Sequence, residues 1–240
     1  MGLAIAVASG KGGTGKSTST AALGCCLAAL GKRTLLIDGD AELRNLDLCL
    51  GLSDRVVLDY GDVLAGRCEA ERALTEVPQF PGLFLLAAPM EDETEGLAQL
   101  ICRLKEDFDY CLIDCPGGLG GGFRAAAAAA DRALVVSNTD PCSHRDAARA
   151  AQALQQQGVE DVHLLISRVS RRFLTASRAT LDDSMDQVGL RLIGYVPEDR
   201  NVSLALAEGT PLMAWPKKSR AAAAYKRIAQ RLDGRHVPLP

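Results

Sequence analysis

Ser9-Gly10-Lys11-Gly12-Gly13-Thr14-Gly15-Lys16-Ser17-Thr18 is the stretch around which the chain is built. Gly10, Gly15, Lys16 and Ser17 fit G-x-x-x-x-G-K-[ST], the spacing of a phosphate-binding loop. The apolar run before it, Leu3 to Ala8, predicts a strand, and the run from Lys16 to Leu30 predicts a helix. That strand–loop–helix setting is the one such a loop requires. Its glycines let the backbone curl, so that N–H groups from Gly10, Gly12, Gly13, Thr14 and Gly15 through Thr18 line an anion nest. The helix N-terminus adds about half a positive charge. In that geometry Lys16 reaches the β- and γ-phosphates of a nucleotide and the Ser17 hydroxyl ligates Mg²⁺. A glycine-rich turn that binds nothing is the competing reading, and the agreement of motif and setting argues against it.

Outward from the loop, short apolar runs alternate with helix-forming ones. Residues 34–38, 83–88, 110–114, 132–137, 161–168 and 191–196 read as strands, about seven with the first. Residues 143–157, 181–188 and 219–232 read as helices, as does the segment holding six alanines at 125–130, whose small side chains suit close packing. Residues 59–66 read as a short helical piece, followed by a helical run to 76 that Pro78 and Pro81 break. The acidic cluster 91–95 reads as the solvated start of the next helix. This alternation predicts an α/β fold: a doubly wound, mostly parallel sheet flanked by helices in three layers. No linker or internal repeat divides it, so residues 1–240 are expected to form a single domain.

Two of the strands end in acids. Asp38-Gly39-Asp40 closes one, and Asp38 there is either a hydrogen-bond acceptor at the strand end or a metal ligand. Asp114 closes another, about a hundred residues after the phosphate loop, the position of an acid that holds Mg²⁺ through water. Cys115-Pro116-Gly117-Gly118 follows, and glycine at Gly118 allows a backbone N–H to swing toward a γ-phosphate.

Charged residues make up 24% of the chain and the net charge is −3, which argues against a wholly basic nucleic-acid protein. The eight cysteines form no C-x-x-C pair, and Cys25 and Cys26 fall in an apolar helix as small core residues. Cys111 and Cys115 match no iron–sulfur spacing. The N-terminus lacks a basic region before its apolar run, so no signal peptide is expected. No run approaches the roughly 20 apolar residues of a membrane span, so the expected location is cytoplasmic. Arg168, Arg171, Arg172 and nearby Arg178 form either a solvated basic loop or an anion contact. After the last helix, residues 234–240 make at most two turns and carry Pro238 and Pro240, too little for a membrane-binding amphipathic helix.

A second lysine, Lys11, precedes Lys16 by five positions. Lys11 to Thr18 resembles the deviant phosphate loop of the MinD/ParA family of ATPases. Ala41 to Leu48 resembles that family's switch I, and Cys115 to Gly118 its switch II. The His144-Arg145-Asp146 helix start and Pro197-Glu198-Asp199 also fall in family order, so the likeness covers nearly the whole chain. It is nearest to the septum-placing MinD branch.

The resemblance implies ATP and Mg²⁺ as cofactors and an ATP-dependent homodimer in which Lys11 reaches the partner's nucleotide; a solvated loop lysine is the plainer alternative. It implies that Asp40 positions the attacking water and sits near Mg²⁺, and that Arg168, Pro197, Glu198 and Asp199 lie by the adenine. Ser167 stands where the class often has Asn, which removes an amide contact to the base. Implied partners are a MinC-like division inhibitor and a MinE-like activator, with peripheral membrane association; the family's usual amphipathic C-terminal helix has no counterpart here. Rival readings within the class are a ParA-type partitioning ATPase, binding DNA nonspecifically through Arg171, Lys217, Lys218, Lys226 and Arg227, and a flagellar-number regulator, which usually has an added N-terminal segment. Asp40 and Lys11 argue against a scaffold without turnover.

Overall fold

The computed structural model describes residues 2–90, 94–176 and 180–239. β1 (Leu3–Ala8) runs into the loop and α1 (Lys16–Ala29). Then come β2 (Thr34–Asp38), α2 (Leu46–Leu50), α3 (Tyr60–Leu64), α4 (Ala70–Ala73), β3 (Leu74–Glu76), β4 (Leu83–Leu86) and α5 (Leu97–Leu104). The rest of the chain adds β5 (Tyr110–Asp114), α6 (Gly121–Ala129), β6 (Arg132–Ser137), α7 (Pro141–Gln156) and β7 (Asp161–Val169). It closes with α8 (Arg171–Ala176), α9 (Leu181–Val188), β8 (Arg191–Pro197), α10 (Arg200–Ala207) and α11 (Arg220–Leu232).

The strands form one sheet in the order β3-β4-β2-β5-β1-β6-β7-β8. All neighbours pair parallel except β3 with β4. The strand period of two sorts β1 between two cores. Ala4, Ala6 and Ala8 join Leu35, Ile37 and Ile113 in one, under α5, α6 and α7. Ile5 and Val7 join Leu36, Leu112 and Leu134 in the other, under α1 and α11. Leu23 and Leu27 of α1 are fully buried there, each contributing about 1.5–3 kcal/mol. On the opposite face the small side chains of β1 meet Ala126, Ala127 and Ala129 of α6, so the alanine run does pack as a helix on a close neighbour.

Several elements differ from expectation. The sheet has eight strands among the described residues, because the helical run ends at Ala73 and Leu74–Glu76 pairs antiparallel with β4; an edge pairing outweighs weak helix preference over so few residues. The basic stretch 171–176 is the short helix α8 instead of a loop, with the Ser170 hydroxyl accepting from the Phe173 N–H at 3.1 Å. Residues 200–207 form α10, which the sequence pattern did not indicate; its first turn is secured by Asp199 accepting from the Asn201 N–H. The helix after the acidic cluster starts at Leu97 with no acid in its first turn. Residues 91–93 of that cluster, and Arg178, lie outside the described residues. No helix among the described residues is long and apolar enough to cross a membrane.

Candidate nucleotide site

Sheet register assembles the site. β2 and β5 align Asp38 with Asp114, and β1 aligns Val7 with Asp114. Both acids therefore stand at the edge where β1 runs into the loop, outside the carboxyl ends of parallel strands. Gly10 is required by close approach: a Cβ there would lie 2.1 Å from the Asp146 carbonyl oxygen. Gly15 caps α1 in the left-handed region, φ 100°, a conformation open to glycine at little cost.

Two cavities meet at this edge. The smaller, about 350 Å³, is lined by Gly12, Gly13, Gly15, Lys16, Ser17, Thr18, Asp40 and Gly117. The larger, about 770 Å³, is lined by Gly15, Thr18, Arg168, Pro197, Glu198 and Asp199 among others. Gly15, Thr18 and Arg168 belong to both. Residues expected at phosphate and residues expected at base thus line two cavities that share part of their walls. Gly10, Lys11, Thr14, Asp114 and Gly118 are outside both linings. Gly10 braces the loop against α7, Thr14 is buried with its hydroxyl unpaired, and Gly118 follows the lining Gly117.

The three acids have separate surroundings. Asp38 accepts from the Asp40 N–H at 3.0 Å and the Leu46 N–H at 3.1 Å. Each of its oxygens accepts one backbone N–H, the structural role the sequence offered beside a metal one. Burial still pushes its carboxyl up to about 6, against those two hydrogen bonds. Asp40 is buried and accepts from the Leu43 N–H at 3.1 Å, which ties the start of 41–48 to the cavity wall. Asp114 is fully buried, and burial, then the charge of Asp38, raises it to about 7. The Thr20 hydroxyl donates to its Oδ1 at 3.2 Å, and the Ser17 hydroxyl and the Lys16 charge also act against that rise. Its Oδ2 has no hydrogen-bond partner among the described residues. A buried, unpaired carboxylate oxygen beside the Ser17 hydroxyl fits a hard divalent cation, and the donors are all oxygen. No group of three or more His, Cys, Asp or Glu stands together among the described residues; Mg²⁺ needs only one or two carboxylates, since water and phosphate complete its shell.

Lys11 turns to its own chain, 3.5 Å from Asp140, with side chains 38% and 48% exposed. Asp140 caps α7 by accepting from the Ser143 N–H at 2.9 Å. Its carboxyl is held below the usual range by Ser143 and, more weakly, by Lys11. Neither Asp140 nor Thr20 was singled out from the sequence. Thr20 had a signal, one helical turn beyond Lys16; Asp140 had none that linked it to Lys11. At the base end, Arg168 holds a positive φ of 56°, rare for a side chain of its size. Asp199 lines the cavity, yet its carboxylate also accepts from the Ser219 hydroxyl at 2.8 Å and the Arg220 N–H at 2.7 Å. It joins the starts of α10 and α11.

Comparison with known proteins agrees with this geometry. Residues 5–212 match the family described as the CobQ/CobB/MinD/ParA nucleotide binding domain. The septum site-determining protein MinD of Bacillus subtilis is 39% identical, over 100% of this chain and 92% of that protein. The MinC:MinD cell division protein complex of Aquifex aeolicus superposes with a TM-score of 0.92 at 35% identity, covering 99% of this chain and 98% of that one. MinD of Pyrococcus horikoshii, solved with Mg-ADP, gives 0.87 at 29%, covering 97% and 96%. A matched family pattern over most of the chain, near-complete coverage at this identity and a shared fold place the chain in the MinD/ParA family of nucleotide-binding ATPases, among its septum site-determining MinD members.

Proposed function

We propose that the chain acts as one ATPase domain whose two nucleotide states switch a division-site regulator between a dimer and a monomer. The observations that carry this reading are the cavity lined by Lys16, Ser17 and Asp40 and the fully buried Asp114 on which Ser17 and Lys16 act. Lys16 and the loop N–H groups bind the β- and γ-phosphates of ATP, while Ser17 and Asp114, the latter through water, hold Mg²⁺. Bound there, Mg²⁺ neutralises charge on the phosphate oxygens. Asp40 orients the water that attacks the γ-phosphate; Gly118 follows the phosphate's loss as the segment after β5 relaxes. The base lies against Arg168 and Pro197–Asp199, and the Mg-ADP bound by the Pyrococcus relative supports that occupant.

Lys11 lies beside the two cavities without lining either, which supports its action on a partner's nucleotide. In the free chain Asp140 holds it. In the dimer its charge stabilises the transferring phosphoryl group, as a cation supplied in trans does. The dimer recruits a MinC-like inhibitor, a reading supported by the complex formed by the Aquifex relative, and a MinE-like activator ends the cycle in the cytoplasm or at the membrane surface. Light scattering coupled to size exclusion tests this. The chain should be a monomer with ADP and a dimer with Mg·ATP, and Lys11→Ala should stay monomeric while binding nucleotide within a few-fold of the original. Dimerisation of Lys11→Ala with ATP would remove its role in trans.

A further inference from the structure

Thr20 is a costly residue for its place. It lies in the second turn of α1 and is fully buried. A β-branched side chain loses rotamer freedom there, and a buried hydroxyl destabilises unless it is hydrogen-bonded. Thr20 has one proton and two acceptors in reach, the Lys16 carbonyl oxygen at 3.1 Å and Asp114 Oδ1 at 3.2 Å. The first is the ordinary back-bond of a threonine within a helix. The second crosses from α1 to the end of β5, 94 positions along the chain. A carboxylate draws the proton more strongly than a carbonyl does, since charge-assisted hydrogen bonds are roughly twice as strong.

Asp114 is itself fully buried, and its Oδ2 has no hydrogen-bond partner among the described residues. Ser17 also acts on it, but the Ser17 oxygen is the one assigned to the cation. Thr20 is thus a donor to Asp114 with no other duty in the site. It lines neither cavity, so it can act only through Asp114. A carboxylate held at one oxygen cannot turn freely about its Cβ–Cγ bond, and the other oxygen keeps one direction.

We propose that Thr20 is a positioning residue: its hydroxyl fixes the plane of the Asp114 carboxylate so that Oδ2 stays free for the Mg²⁺ shell, and this sets how tightly the chain holds the metal beside a nucleotide. The proposal rests on the nucleotide reading above. A Thr20 that only filled the core would set stability and leave metal affinity alone.

Electron paramagnetic resonance of Mn²⁺, standing in for Mg²⁺, with the full chain and saturating ADP separates the two. Thr20→Val keeps the shape of the side chain and removes the hydroxyl. It should weaken Mn²⁺ binding by about 10–100-fold, the loss typical when a group that orients a metal ligand is removed, with ADP affinity in EDTA within about twofold of the original. Thr20→Ser, which restores the hydroxyl, should recover most of the Mn²⁺ affinity. Unchanged Mn²⁺ affinity in folded Thr20→Val, with ADP binding intact, overturns the proposal alone. A Thr20→Ser chain as weak as Thr20→Val overturns it too, by assigning the loss to the methyl group. If Thr20→Val does not fold, Thr20→Ala takes its place and is read the same way. Failure of the unsubstituted chain to bind ADP would break the nucleotide reading and this proposal together.

Discussion

The two ends of the sheet are built by opposite rules. At the N-terminal ends of the strands, charge is matched. Lys105 Nζ lies 2.8 Å and 3.0 Å from the oxygens of Asp131, which also accepts from the Ala4 N–H. Asp233 takes Lys32 at 2.9 Å and the Tyr110 hydroxyl at 3.0 Å. Arg132 meets Asp161 at 2.6 Å. At the C-terminal ends, buried polar atoms are left over: Asp114 Oδ2, Thr14 Oγ1, Asn138 Oδ1 and His144 Nε2 have no hydrogen-bond partner among the described residues. Buried polar groups are otherwise nearly always paired. One end pairs its charges within the fold, and the other carries the acids and hydroxyls of the candidate site.

The contrast breaks most sharply at Asp40. Asp40→Ala should lower phosphate release by about 10²–10⁴-fold, the range a positioned side chain supplies, with affinity for a fluorescent ATP analogue within a few-fold. Normal turnover in that variant would remove the water-positioning role.

A smaller effect should appear in stability. Asp114 and Asp38, raised to about 7 and about 6, hold protons in the folded chain that the unfolded chain has released. Where the folded state binds more protons, stability falls as pH rises. The nucleotide-free chain should therefore lose stability between about pH 4 and 7, read as a falling denaturant midpoint. Mg·ADP at a hundred times its Kd should add about 2.7 kcal/mol. Asp114→Asn, which removes the buried charge, should flatten the pH slope and reduce that gain. An unchanged slope would mean the acids are solvated.

The smallest change is expected at the paired end. Asp131→Ala strands the nearly buried Lys105 ammonium and should cost about 1–3 kcal/mol in urea, with turnover per folded molecule within twofold. A large catalytic loss there would show that the two ends are coupled.

Much of this was legible in the chain itself. The strands that become β1, β2, β4, β5 and β6 each carry an apolar run, because a strand covered on both faces is apolar at nearly every position; β7 and β8, nearer the edge, keep shorter apolar stretches. β3 was not legible, since Leu74–Glu76 is three residues long and partly exposed; its strand character comes from Leu85 across the ladder. α10 was hidden for a related reason. RNVSLALA carries only a short stripe, Val202, Ala205 and Leu206, and its start is set by Asp199.

At the site the division is similar. The loop from Gly10 to Thr18, Asp40 and Asp114 could be named from spacing and from likeness, because phosphate binding needs adjacent N–H groups that one short segment supplies. Asp38 could not be assigned, since its two acceptor bonds come from Asp40 and from Leu46, eight residues on. The chain alone determined that a nucleotide would be bound, and by which loop. Tertiary structure decided which acid was left unpaired, that Lys11 rests on Asp140, and that Arg168, Arg200 and Arg220 line one cavity. Those facts depend on sheet order and register bringing together residues from distant elements, and no local pattern encodes such distances.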